Sequence, residues 1–490
     1  MCLCKAKKGV NEMARQTWKI PDDFILGAAA SAWQTEGWDG KRPTQDSYLD
    51  MWYKNDPDVW HDGYGPAVAT DFYNRYKEDI QYMKDIGLTH YRTSINWSRF
   101  LLDYETAEVD EVYAGYIDDV IDELKRCGVE PMLCLEHYEI PTVLLEQYGG
   151  WGSKHVVGLF AAYAEKAFER YGDRVKYWFT FNEPIVPQTR IYLDALRYPY
   201  EQNTKKWMQW NYHKALATAK AVAIFRKRKP SFREGAKIGV ILNPEVAYAR
   251  SSAPHDQKAA QVYDLFFNRV FLDPSIKGVY PDELMELMAK HDILFDHDEE
   301  ERSVIKRNTV DFVGVNLYYP KRVQAPSRQW NESTPFHPAY YYEPFELPGR
   351  KMNPFRGWEI CPRIVYDMAM RLKYEYGNIE WLIAENGMGV EHEERFKNEE
   401  GVIQDDYRID FISAHLREAM KGIADGANCK GYMLWAFTDN VSPMNAFKNR
   451  YGLVEIRLEN NRSRALKKSA CFYRDIIKNR RFETEEFRYK

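Results

Sequence analysis

The sequence is short of several things that would each have named a class of protein. Cysteine is scarce: seven in 490 residues, at 2, 4, 127, 134, 361, 429 and 471. Cys2-x-Cys4 has no matching pair elsewhere, so no zinc-finger spacing exists. An odd, scattered set suits a reducing compartment. Positive charge is not in surplus, with 68 Lys and Arg against 73 Asp and Glu and a net charge of -5. A nucleic-acid partner is therefore excluded. No run approaches the roughly 20 apolar residues that span a bilayer, which removes a membrane partner. Met1-Cys2-Leu3-Cys4-Lys5-Ala6-Lys7-Lys8 lacks an apolar core. Residues 1–16 read as a polar extension rather than a secretory leader, so a cytoplasmic protein is expected. No ligand cluster stands out, and neither a metal nor a cofactor is expected.

What is present is apolar and ordered by period. The composition is 45% hydrophobic and 15% aromatic, with 14 Trp and 35 Tyr, enough for one large core. Eight apolar strand candidates recur, at 24–31, 89–96, 130–137, 177–184, 237–244, 312–319, 381–388 and 431–438. Helical patterns intervene at 71–86, 113–126, 154–171, 207–229, 257–271, 362–376 and 407–425, and a last one covers 466–478. In the second, Ile117, Val120, Ile121 and Leu124 fall on one helix face. Strands alternating with helices imply a parallel sheet, and eight repeats imply closure. The expected fold is α/β, a single (β/α)8 TIM barrel over 17–490 with long βα loops. Length alone would allow two or three domains, but such barrels lengthen through their loops. Two connections stand out. Residues 320–360, rich in Pro and Tyr, are expected to wall the mouth of the barrel. Residues 389–406, with five glutamates, read as solvated surface.

Two strand ends carry chemistry. Lys176-Tyr177-Trp178-Phe179-Thr180-Phe181-Asn182-Glu183-Pro184 runs from strand signal into a carboxylate. Proline pushes the residue before it toward extended geometry and cannot continue a ladder, so Glu183 stands where the strand stops. Poor solvation there favours the protonated carboxyl, as a general acid requires. Trp381-Leu382-Ile383-Ala384-Glu385-Asn386-Gly387 ends in the same way. In this fold, catalytic groups come from the C-terminal ends of strands. Two carboxylates so placed suit cleavage of a glycosidic bond, one protonating the leaving oxygen and the other attacking the anomeric carbon or activating water. Aromatic faces suit sugar rings, though they serve equally for packing.

Thr180-Phe181-Asn182-Glu183-Pro184 and Ile383-Ala384-Glu385-Asn386-Gly387 resemble the acid/base and nucleophile motifs of glycoside hydrolase family 1, and further matches run from Phe24 to Tyr473. The resemblance implies a retaining β-glycosidase with Glu183 as acid/base and Glu385 as nucleophile. It implies that Gln34 and His137 bind the sugar, that Asn182 meets its 2-hydroxyl, and that Asn316 lines the site. Tyr318 would bond to the nucleophile, and Trp435 would form the sugar platform. Arg92 lies inside an apolar strand and must have an anion partner, for which Glu385 is the candidate. That pairing would favour the ionised nucleophile. His137-Tyr138-Glu139 departs from the common His-Trp-Asp and resembles the phospho-sugar branch.

The loop after the eighth strand, Asn440-Val441-Ser442-Pro443-Met444-Asn445-Ala446-Phe447-Lys448-Asn449-Arg450-Tyr451-Gly452, bears on the substrate. Ordinary β-glucosidases of the family carry Glu-Trp where Ser442-Pro443 stand. The phospho-glycosidase branch has instead a Ser, a Lys and a Tyr around a 6-phosphate. Ser442 and Tyr451 match. The Lys position falls on Asn449, a weaker donor, with Lys448 one residue earlier. Pro443 stands where the galactosidase subgroup carries Trp. The expected substrate is thus a small 6-phospho-β-glucoside. A β-glucosidase acting on unphosphorylated sugars and a catalytically silent sugar-binding protein are the alternatives. Oligomeric state is left open, a homo-oligomer included.

Overall fold

The computed structural model describes residues 16–328, 331 and 334–485. The polar extension expected over 1–16 lies, apart from Gln16, outside the described residues, as do Cys2 and Cys4. Gln16 already belongs to a strand, Gln16–Lys19, paired antiparallel with Arg481–Thr484.

Eight parallel strands close into a barrel in sequence order. They are β1 (Ile25–Ala29), β2 (His90–Ser94), β3 (Glu130–Glu136), β4 (Tyr177–Asn182), β5 (Lys237–Leu242), β6 (Phe312–Asn316), β7 (Trp381–Asn386) and β8 (Cys429–Trp435). Each lies within its expected run or reaches at most two residues past it. The surplus falls mainly at the C-terminal ends, where the chain leaves the ladder to line the barrel mouth.

Strand alternation sorts the apolar side chains into two layers. Phe179, Phe312, Met132 and Met433 fill the barrel interior. Trp178, Leu133, Ile238 and Leu434 face the helices. The outer ring contains α1 (Phe72–Ile86), α2 (Glu111–Arg126), α3 (Lys154–Tyr171) and α4 (Thr204–Arg228), followed by α5 (Pro254–Asp264), α6 (Arg363–Glu375), α7 (Asp406–Ala424) and α8 (Lys468–Asn479). Asp110 caps α2 by accepting from the Val112 amide, and the helix ends on Lys125 and Arg126, which suit its negative pole. Its Ile117, Val120, Ile121 and Leu124 are all buried, and such side chains each contribute roughly 1.5–3 kcal/mol. On α8, the Tyr473 hydroxyl donates to the Gly27 carbonyl of β1 at 2.9 Å, tying the last helix to the first strand.

Three differences from the expectations have physical causes. The helix expected over 257–271 starts at Pro254, widens into a π-helical stretch at Leu265–Arg269 and runs on through Val270–Ile276. Four helices of seven to nine residues, Tyr48–Asn55, Thr142–Tyr148, Asp282–Lys290 and Glu299–Arg307, were not expected. They are too short to hold more than about two turns of apolar repeat. The 389–406 segment is not simply solvated surface. Glu393 is 2% exposed and meets Arg408 at 2.6 Å and the Lys467 ammonium. Burial pushes its carboxyl up, but those two cations outweigh burial and bring it to about 2. Counting acids could not find this, because the Lys467 partner lies 74 residues away.

The 320–360 connection does wall the barrel mouth. Lys321–Gln324 pairs with Ala247–Ala249 and Glu343–Pro344. Met352–Asn353 and Trp358–Glu359 form a small hairpin. Asn353 pins that hairpin by donating to the Gly389 carbonyl at 2.9 Å. Among the described residues, no helix is long and apolar enough to cross a membrane.

Candidate active site

A cavity of about 370 Å³ opens at the C-terminal mouth of the barrel. Glu183 and Glu385 both line it, with Gln34, His137, Asn182, Asn316, Tyr318, Trp435, Ser442 and Tyr451. Of the twelve expected site residues, Arg92 lies beneath the lining, and Asn449 lies behind it.

Glu183 follows the last residue of β4, and its amide donates to the Ile241 carbonyl of β5 at 2.8 Å. The extended geometry expected before Pro184 is not found. The φ of Glu183 is 46°, which turns the chain off the sheet at a cost on the order of 1–3 kcal/mol. The turn delivers the carboxyl to two neutral donors. Asn316 Nδ2 donates to Oε1 at 2.9 Å, and the Tyr138 hydroxyl donates to Oε2. Burial, and next the nearby Glu385 charge, push the Glu183 carboxyl up to about 7 against the pull of those two hydrogen bonds.

Glu385 sits inside β7 and is 4% exposed. Its partners are of another kind. The Arg92 guanidinium from β2 pairs with Oε1, and the Tyr318 hydroxyl donates to Oε2 at 2.7 Å. Arg92 Nη1 also donates to the Ala30 carbonyl and lies 3.2 Å from His137 Nδ1. Burial, then the Arg92 charge, hold His137 well below the ordinary imidazole range, so the ring is neutral. Its Nε2 lies 3.2 Å from the Asn182 amide, which accepts in turn from Asn316. One chain of contacts thus links the partners of both carboxyls. Asn386 braces β7 by donating to the Leu317 carbonyl and accepting from the Tyr432 hydroxyl. Gly387 is required there, because a Cβ would stand 1.8 Å from the Trp435 carbonyl oxygen.

Trp435 lies near-parallel to His137, with ring centroids 6.1 Å apart. Gln34 reaches the cavity with its amide engaged at both ends: Nε2 donates to the Val441 carbonyl and Oε1 accepts from Ser31, each at 2.7 Å. Ser442 lines the cavity from a tight turn in which its carbonyl accepts from the Ala446 amide at 2.8 Å. Tyr451 is buried, and burial raises its phenol against the pull of the nearby Arg356 charge. Asn449 does not line the cavity. It is buried, donating to Glu391 at 3.3 Å and accepting from Arg356 Nη1 at 3.2 Å. Lys448 points away, with its ammonium 3.4 Å from Glu391 and 40% of its side chain exposed.

Sequence reasoning missed Arg356 and Trp358 of the 352–359 hairpin, Asn445, and the role of Tyr138. Tyr138 had a signal, since it replaces the common Trp beside His137. Arg356 had none beyond its place in the predicted wall. The stretch after β4 adds Arg190 and Arg197 to the lining.

The sequence model of Glycosyl hydrolase family 1 matches residues 16–482. The chain is 44% identical over 467 residues to the 6-phospho-beta-glucosidase GmuD of Bacillus subtilis (strain 168), covering 95% of this chain and 99% of that one. It is 33% identical to the aryl-phospho-beta-D-glucosidase BglC of the same organism, covering 94% and 97%. Among solved structures, the beta-glucosidase from Thermotoga maritima in complex with noeuromycin superposes with a TM-score of 0.84 at 29% identity, covering 94% of this chain and 99% of that one.

Proposed function

The chain belongs to glycosyl hydrolase family 1, and from that premise we propose that it hydrolyses 6-phospho-β-glucosides with retention of configuration. The observation that carries the reading is the pair of carboxyls on one cavity: Glu385 attended by a buried cation, Glu183 by neutral donors only. We assign Glu385 as nucleophile and Glu183 as acid/base. Glu385 attacks the anomeric carbon as Glu183 gives its proton to the aglycone oxygen, forming a glycosyl-enzyme and a free alcohol. Glu183, now a carboxylate, takes a proton from water, which displaces Glu385 and releases the sugar. Tyr318 and Arg92 fix the nucleophile. Asn182 is placed to meet the 2-hydroxyl as positive charge develops on the ring.

Two things support the phosphate. The relatives at 44% and 33% identity carry phospho-glucosidase names. Ser442 stands where ordinary family members carry a glutamate that would repel a 6-phosphate. Such a substrate is multiply charged and does not cross a bilayer unaided, which supports a cytoplasmic enzyme. The test compares kcat/KM for p-nitrophenyl β-glucoside and its 6-phosphate. The phosphorylated substrate should be preferred by roughly 100-fold or more, the worth of one or two charge-assisted hydrogen bonds. A preference for the unphosphorylated sugar overturns the reading.

A further inference from the structure

Resting on the 6-phosphate reading, we propose that Arg356 is the cation that binds the phosphate, and that Asn449 serves to aim it. The loop after β8 brings no Lys into the cavity: Asn449 is behind the lining, and Lys448 turns to Glu391. A dianion bound by a Ser and a Tyr alone would lack a charged partner. Arg356 supplies one from a different part of the fold, the hairpin after β6. It lines the same cavity as Ser442 and Tyr451.

The guanidinium is held in place yet not neutralised. It lies 4.4 Å over the Trp358 ring. Nη1 donates to Asn449 Oδ1 at 3.2 Å, and the guanidinium charge lies close enough to the Tyr451 phenol to lower it against burial. Both groups are neutral. Among the described residues, no carboxylate forms an ion pair with Arg356, whereas Arg190 in the same lining is paired with Asp194 at 2.7 Å. Its Nε–H is buried and has no acceptor. A buried N–H without an acceptor is costly, and a bound phosphate oxygen would supply one.

This geometry accounts for Asn449. Glu391 holds the Asn449 Nδ2, so the amide oxygen faces Arg356. A Lys at 449 would set an ammonium against the guanidinium, so Arg356 and Asn449 go together. Tyr451 fits the same arrangement. It lines the cavity beside Arg356, and its O–H is a donor for the anion.

The test reads one ratio: kcat/KM for p-nitrophenyl β-glucoside 6-phosphate divided by that for p-nitrophenyl β-glucoside. In Arg356→Met the ratio should fall roughly 10- to 100-fold, mostly through KM of the phosphorylated substrate. Arg356→Lys should lose less. Adding Asn449→Lys to Arg356→Met should recover part of the ratio by returning a cation from the other side. Inhibition by glucose 6-phosphate relative to glucose reads the same preference without turnover, and should fall in parallel. If the wild-type enzyme prefers the phosphate and Arg356→Met keeps the ratio within about threefold, the inference fails while the substrate reading stands. If the wild-type enzyme shows no preference, the substrate reading fails and takes the inference with it. Should Arg356→Met not fold, Arg356→Gln carries the test, and an unchanged ratio there, together with unchanged glucose 6-phosphate inhibition, overturns the proposal.

Discussion

At the reaction end of the cavity, Glu183, Glu385, Arg92 and Asn316 stand on barrel strands or one residue beyond them. At the end assigned to the 6-position, Ser442, Tyr451 and Arg356 stand on connections that leave β8 and β6. The first set is spaced by the sheet ladder, which leaves little freedom in the distance between groups. The second is assembled from loops braced by contacts such as Asn353 to Gly389 and Asn449 to Glu391. The difference teaches that the paired carboxyls are fixed by the barrel, while the end assigned to the 6-position rests on parts that can change without moving them.

The largest effects should come from the strand end. Glu385→Gln removes the proposed nucleophile, and kcat/KM should fall by at least ~10⁴-fold, since groups acting as one unit fail together. Substantial residual turnover in a stopped assay would remove the nucleophile assignment. Glu183→Gln should cost roughly 10²–10⁴-fold on substrates with poor leaving groups, and much less on a dinitrophenyl glycoside that needs no proton. Equal losses on both would show that Glu183 is not the acid.

At the loop end, Ser442→Glu restores the charge that ordinary family members carry. Like unit charges at about 4 Å cost roughly 4 kcal/mol at an effective dielectric near 20. The phosphorylated-to-unphosphorylated selectivity should then drop by roughly 10³-fold, while an unchanged ratio would place the phosphate elsewhere.

The smallest effect separates the two carboxyls by pH. Glu183 must be protonated to act as the acid, and its carboxyl sits at about 7. The kcat/KM profile should therefore decline as pH rises through about 7. The Tyr138 hydrogen bond favours the ionised form, so Tyr138→Phe should raise the Glu183 pKa and carry that decline upward by roughly half to one pH unit. A decline that stays put, or moves down, contradicts the arrangement. Glu385→Gln removes the neighbouring charge that raises Glu183. It should therefore lower the carboxyl titration of Glu183, followed by NMR on labelled glutamate.

The contrast between the two ends also sets what was legible in the sequence. Eight apolar runs gave the barrel, because a strand buried on both faces leaves an unbroken hydrophobic signature. Both glutamates stood at the ends of such runs. Arg92 pointed to Glu385 because a buried guanidinium must find an anion. What lay off the strands was hidden. The left-handed turn at Glu183 overrode the extended preference that Pro184 imposes. Tyr138 looked like a variant of a motif, and the structure has its hydroxyl donating to Glu183. Arg356 and Asn449 are 93 residues apart, and no period or spacing connects a hairpin to a loop that far away. The burial of Glu393 was hidden for the same reason, its Lys467 and Arg408 partners lying on other elements.

Glu385 is proposed to form the covalent link to a 6-phosphorylated sugar. A dinitrophenyl 2-deoxy-2-fluoro-β-glucoside and its 6-phosphate would be reacted with the enzyme in parallel, and the trapped adduct located by peptide mass mapping. The account predicts a glycosyl ester on Glu385 that forms faster from the phosphorylated reagent. An adduct on another residue, no adduct at all, or faster labelling by the unphosphorylated reagent would contradict it.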